Sequence, residues 1–249
     1  MKFRLHGIPA ICLLAVSLLA CSRSWHTSGN PDAIRPEEVK SFDILYAQNC
    51  SGCHGKDGQD GPATVLANPE YQALIDDGTL RKITAQGQEG TLMPGFAKAS
   101  GGPLTDEQIE VMVTGMRQRW RRSGAVNGLP SYLAQGKPNP EHGRDVYAAS
   151  CASCHGPTAD RPGSAGSVLD GTFLGLISDQ VLRTTIIAGR PDLGMPDWRN
   201  QGTGKPLTDP DITDVVAWMS SQRRRTLGQP YPSPQTTTTA KPQEPQKGH

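Results

Sequence analysis

One five-residue run occurs twice in this chain, as Cys50-Ser51-Gly52-Cys53-His54 and as Cys151-Ala152-Ser153-Cys154-His155. Two thiols at this spacing can serve as a redox dithiol or as half of a zinc site. A histidine directly after the second thiol, in both copies, selects a third chemistry. The two sulfurs can add across the vinyl groups of a haem while the adjacent imidazole swings beneath the ring to ligate iron.

Iron in an electron carrier needs its second axial position filled, and a thioether opposite histidine raises the reduction potential. Downstream of the first run lies Thr91-Leu92-Met93-Pro94-Gly95-Phe96, and downstream of the second Leu193-Gly194-Met195-Pro196-Asp197-Trp198. Met93 follows His54 by 39 positions and Met195 follows His155 by 40. A lone methionine is usually core filler. A Met-Pro pair at matched distance in both halves reads as a ligand loop, because proline holds the residue before it extended. The other histidines are His6, His26, His142 and His249. None lies where it could replace a methionine without a long loop excursion, and His142 reads as a solvated residue on the helix leading into the second run.

Each half resembles a class I cytochrome c domain, of the kind found in tandem in periplasmic and membrane-bound dihaem cytochromes. The resemblance implies an all-α chain of two tandem domains, each wrapped around one covalently bound haem, with two c-type haems and electron transfer as the role. It gives Cys50, Cys53, His54 and Met93 to one haem, and Cys151, Cys154, His155 and Met195 to the other. The iron ligands are then His54 with Met93 and His155 with Met195.

An internal repeat carries the resemblance beyond the motifs. Cys50 maps to Cys151 at an offset of 101. Tyr71, Leu74 and Ile75 map to Phe173, Leu176 and Ile177 at 102, as do Leu80, Arg81 and Gly87 to Leu182, Arg183 and Gly189. Leu104-Thr105-Asp106 maps to Leu207-Thr208-Asp209 at 103. So small a drift means two copies of one domain. Gly (28) and Pro (21) make up about a fifth of the 249 residues and hydrophobics only 35%, a lean supply for a core unless a buried haem adds its own apolar surface. A formal charge of +1 gives no case for nucleic acid as a partner.

Residues 1–20 read as a signal peptide, with Lys2 and Arg4 ahead of an apolar stretch too short to span a bilayer comfortably. The segment ends Leu18-Leu19-Ala20-Cys21, which resembles a bacterial lipobox. That implies cleavage before Cys21, lipid attachment there, and a place on the periplasmic face of a membrane; ordinary cleavage beside an incidental cysteine is the alternative. Of six cysteines, Cys12 leaves with the signal and four hold haem, so Cys21 has no thiol partner. Without residues 1–20 the chain has 23 basic and 24 acidic residues, formally −1.

Residues 21–35 read as the tether, 36–122 as the first domain, 123–137 as a linker rich in glycine and proline, 138–226 as the second domain and 227–249 as a disordered tail. A helix is expected to open at Pro36, with Val39, Phe42 and Tyr46 on one face, and to deliver Cys50. A second is expected from about Asp76 to Gly87. Thr105-Asp106-Glu107-Gln108 reads as a capping box that opens a third, with Ile109, Met112, Val113 and Met116 inward. Asn139-Pro140-Glu141 caps the first helix of the second copy. In this family the first and last helices of a domain cross, usually with a glycine on one against an aromatic on the other. Gly143 and Trp218 fit that pattern, whereas Phe42 and Gly115 stand at the matching places with large and small exchanged.

Arg117, Arg119, Arg121 and Arg122, and later Arg223, Arg224 and Arg225, sit at helix ends. They suit the negative end of a helix dipole, or a docking face for an acidic redox partner or anionic lipid. Arg190 is a candidate for a haem propionate. The leading function is a membrane-tethered carrier passing single electrons between respiratory or photosynthetic complexes. Its partners would be a quinol-oxidising complex, a terminal oxidase or a reaction centre. The rival is a dihaem enzyme, either a peroxidase or a dehydrogenase of small sulfur compounds. A gas-sensing haem module is a third reading, against which the chain offers no output domain.

Overall fold

The computed structural model describes residues 34–121, 126–201 and 204–224. The proposed signal peptide, Cys21 and the tail from 227 lie outside the described residues, as do Arg122 and Arg225. The chain divides between Val39 and Lys40 into two units. In the first, the described residues form a single 3-10 turn, Pro36–Glu38, with Arg35 paired to Glu38.

The second unit holds ten α-helices, two 3-10 turns and no strand among the described residues. The α-helices fall into two series of five. The first series is α1 (Phe42–Asn49), α2 (Ser51–His54), α3 (Pro69–Leu74), α4 (Asp77–Gln86) and α5 (Asp106–Trp120). The second is α6 (Pro140–Ser150), α7 (Ala152–His155), α8 (Gly171–Leu176), α9 (Asp179–Ala188) and α10 (Asp209–Ser221). The first helix begins six residues later than Pro36 suggests. Val39 is extended (ψ 117°), and the Ser41 hydroxyl caps the new helix by accepting from the Ile44 amide. Val39 therefore does not share the helical face of Phe42 and Tyr46.

The other starts follow from their caps. Asp76 accepts from the Thr79 amide (2.7 Å) at the head of α4, and Asn139 accepts from Glu141 and His142 at the head of α6. The Thr105/Gln108 box opens α5. Ile109, Met112, Val113 and Met116 are all buried as expected, and Ile212, Val215, Val216 and Met219 do the same work on α10. The short α3 and α8 went unread in sequence because six residues are too few for a helical period to show.

The crossing of α1 with α5 is filled by the Phe42 ring. A side chain on Gly115 would meet Phe42 Cδ2 at 2.2 Å. At the crossing of α6 with α10 the helices touch backbone to backbone: a side chain on Gly143 would lie 2.0 Å from the Asp214 carbonyl oxygen. Trp218 is not the group against Gly143. Its ring packs at a tilt against Tyr147, one turn further on (4.8 Å between centroids).

The basic helix ends are largely spoken for. Arg117 donates to the Gln72 carbonyl (2.6 Å) and the Ile75 carbonyl and pairs with Asp77. Arg223 makes the same contacts in the second domain, to Leu174 (2.7 Å), Ile177 (2.8 Å) and Asp179 (2.7 Å), from a position just past the end of its helix. Arg119 pairs with Asp43 and lies over the Phe42 ring. Part of the linker is also fixed: Arg183 on α9, 2% exposed, donates to the carbonyls of Ser131 and Tyr132 and pairs with Asp209.

Candidate functional site

Each Cys-x-x-Cys-His run begins where a long helix ends. Cys50 closes α1 and Cys151 closes α6, and the short α2 and α7 carry the second thiol and the imidazole. A tyrosine one turn ahead of each first cysteine ties the geometry down. Tyr46 donates to the Gly55 carbonyl (2.8 Å) and Tyr147 to the Gly156 carbonyl (2.9 Å), each the residue just past the histidine.

The histidines are set by backbone. His54 Nδ1 lies 2.8 Å from the Thr64 carbonyl oxygen, and His155 Nδ1 lies 3.0 Å from that of Gly166. A carbonyl only accepts, so Nδ1 carries the proton and Nε2 keeps its lone pair. That is the arrangement a metal-ligating imidazole needs. Burial lowers the pKa of His54, against the opposing effect of its bond to Thr64, so the ring favours the neutral form.

Burial pushes the Cys50 thiol up to about 12 and the Cys151 thiol up to about 11, with the other thiol of each pair as the second cause. Neither is the acidified thiol of a dithiol oxidoreductase. The four described cysteines are free. Nor do the runs meet to build a zinc centre: among the described residues no group of three or more His, Cys, Asp or Glu could hold an ion.

The methionine loops start at the glycines that end α4 and α9. A side chain on Gly87 would sit 2.6 Å from the Met93 carbonyl oxygen, and one on Gly189 would sit 2.8 Å from that of Met195. Both glycines have positive φ, 79° and 71°, so each turns the chain back against its own Met-Pro. The first loop is held from within, Thr91 Oγ1 donating to Gln88 (2.7 Å) and accepting from the Met93 amide (3.1 Å). In the second, Arg190 and Met195 exchange two backbone hydrogen bonds of 3.0 Å.

All eight expected residues line one cavity of about 1140 Å³: Cys50, Cys53, His54 and Met93 together with Cys151, Cys154, His155 and Met195. Pockets for a single small ligand run to about 1,000 Å³, so the space and its donors suit large, flat, apolar groups. Arg190 also lines the cavity, with Nε and Nη2 of its guanidinium engaged by Asp192 and the Gly61 carbonyl. His142 differs from its reading as merely solvated, because its Nδ1 lies 2.8 Å from Asp214. The carbonyls of Thr64 and Gly166 and the two tyrosines went unnamed as site residues. Tyr46 and Tyr147 were findable, since they share the 101-residue offset of the cysteines.

Thiol pairs followed by a proton-fixed imidazole, on an all-α scaffold used twice, define a class I c-type cytochrome, with covalently bound c-type haem and electron transfer as its chemistry. A family model described as cytochrome c oxidase, cbb3-type, subunit III, matches residues 37–114 and again 138–219, and the chain belongs to this family. The cbb3-type cytochrome c oxidase subunit FixP of Azorhizobium caulinodans is 27% identical over 168 residues, which cover 62% of this chain and 51% of that protein. A thiosulfate dehydrogenase of Stutzerimonas stutzeri is 26% identical over 190 residues, covering 71% of this chain and 60% of that one. The chain thus spans between half and three fifths of these relatives. A chain of the Kuenenia stuttgartiensis reducing HAO-like protein complex Kustc0457/Kustc0458 aligns with a TM-score of 0.43 at 17% identity, over 77% of this chain and all of that one, a likeness too low to bear on function.

Proposed function

We propose that the protein is a membrane-tethered dihaem electron carrier. Cys50 and Cys53 hold one haem by thioether bonds, with His54 and Met93 on its iron. Cys151, Cys154, His155 and Met195 hold the other. The observation that supports this best is the repeated donor set around one cavity, with each imidazole fixed through Nδ1. The bound haem supplies one-electron Fe(III)/Fe(II) exchange. The chain's part would be to hold each iron through its histidine and methionine and to exclude water with the side chains that α4, α5 and α9 turn to the cavity, among them Leu80, Met116 and Val181.

On this reading the protein is no enzyme in itself. It passes electrons between a quinol-oxidising complex and a terminal oxidase or reaction centre, on the periplasmic face of a membrane to which Cys21 is lipid-anchored. The likeness to a thiosulfate dehydrogenase favours one other reading, oxidation of a small sulfur compound at one haem. A dehydrogenase needs one labile iron position; a carrier needs none. Replacing Met93 and Met195 by alanine in turn separates the two. For the carrier, each change halves the near-infrared sulfur-to-iron band, and thiosulfate does not reduce the native protein. An unchanged band in either variant, or reduction by thiosulfate, would count against it.

A further inference from the structure

The Met195 loop is held from outside its own domain. The Arg190 guanidinium pairs with both carboxylate oxygens of Asp192, at 2.9 and 2.7 Å, and gives another hydrogen bond of 2.8 Å to the Gly61 carbonyl of the first domain. The Asp192 side chain is only 5% exposed. Asp192 is held below the usual carboxylate range chiefly by Arg190, and the backbone amide of Asp60 adds to the effect. Asp60 is the one non-glycine residue with positive φ among those described (63°). The turn at Asp60–Gly61 thus sets an amide against the carboxylate and a carbonyl against the guanidinium.

A second tie arrives through Asn68, which is 3% exposed. Its Oδ1 caps α3, accepting from Glu70 and Tyr71, while its Nδ2 donates to the Ala188 carbonyl at 2.8 Å. Ala188 is the last residue of α9, two positions ahead of Arg190. Beyond the methionine, Arg199 reaches back to Glu70 at 2.7 Å.

Comparison of the repeats shows this hydrogen bonding to be one-sided among the described residues, although Gly90 of the Met93 loop lies close to Ser178. Asp170, the counterpart of Asn68, caps α8 and is exposed. Gln88, the counterpart of Arg190, serves the Met93 loop through its own backbone, with Thr91 as the brace.

We propose that Arg190 and Asn68 are positioning residues through which the first domain fixes the Met195 loop. Thioether ligation at the second site then depends on the domain interface, while the Met93 site is self-sufficient. The inference rests on the His/Met ligation proposed above. Its physical basis is that a buried hydrogen bond to a charged group, once lost, leaves its partner unsatisfied.

The test is competition by imidazole in the haem-loaded full chain. With Met93→Ala, the near-infrared sulfur-to-iron band reports Met195 alone; with Met195→Ala, it reports Met93 alone. In the first background Arg190→Gln and Asn68→Ala should each lower the imidazole concentration for half-loss of the band roughly tenfold. Arg190→Lys, which keeps the charge, should recover part of that loss. In the second background none of the three should move the midpoint. A midpoint that stays put in the first background, or shifts equally in both, would overturn the clamp while the ligand reading stood. A Met93→Ala protein with no band at all would overturn the ligand reading, and the clamp with it.

Discussion

His54 and His155 are poised by the backbone rather than by acidic neighbours. Each Nδ1 meets a loop carbonyl ten or eleven residues on, so the free nitrogen is chosen by the fold of that loop. His142 shows the opposite case, a histidine governed by carboxylates. Its bond to Asp214 raises its pKa, opposed by desolvation and aided by the charges of Asp211, Asp214 and Asp145, the last on its own helix. A raised folded-state pKa means stabilisation that is complete below the ordinary value near 6.5 and lost as pH climbs through the higher one. Native protein should therefore exceed His142→Ala in urea midpoint by more at pH 5.5 than at pH 9. An equal gap at both values would show that the His142–Asp214 contact does not titrate.

Among the elements, the two helix crossings solve one packing problem in different ways. In α1 and α5 a ring fills the gap over Gly115, and in α6 and α10 the backbones themselves meet at Gly143. Alanine is the better helix former by about 1 kcal/mol, yet both Gly→Ala changes should destabilise. At Gly115 the obstacle is the Phe42 ring, which can tilt, so the cost should fall within the ~1–3 kcal/mol usual for overpacking. Phe42→Leu in the same chain should recover part of it. At Gly143 the obstacle is the carbonyl of Asp214, and only separation of the helices relieves it. Gly143→Ala should therefore cost more than Gly115→Ala in chemical denaturation. The reverse order would mean that the α6–α10 crossing yields more easily than its close contact implies.

At the scale of the whole molecule, the two cytochrome domains are not beads on a string. Arg183 pins the linker carbonyls of Ser131 and Tyr132, Asn68 joins α3 to the end of α9, and the two donor sets open on one cavity. Among the described residues no helix is long and apolar enough to cross a membrane. On the proposal that Cys21 carries a lipid, Cys21→Ser should move the protein from the membrane to the soluble periplasmic fraction. A native protein already recovered in the soluble fraction would rule out the anchor.

The haem runs, the methionine loops, the capping boxes and the twofold repeat were legible in the amino-acid sequence because each is local. Cys-x-x-Cys-His works through spacing, Thr105 and Gln108 cap each other three residues apart, and a duplicated domain repeats its own residues. What only the tertiary structure decided is non-local and often particular to one copy. Arg81 and Arg183 are repeat counterparts, yet one pairs with Glu110 at the surface and the other is buried against the linker. The first helix starts at Phe42 because Ser41 offers a cap that Pro36 does not. Arg190, read in sequence as a partner for a propionate, gives Nε and Nη2 hydrogen bonds to Asp192 and Gly61. A guanidinium bonds whatever acceptors the fold brings within about 3 Å, and those acceptors lie 129 residues away in the chain for Gly61 and two for Asp192.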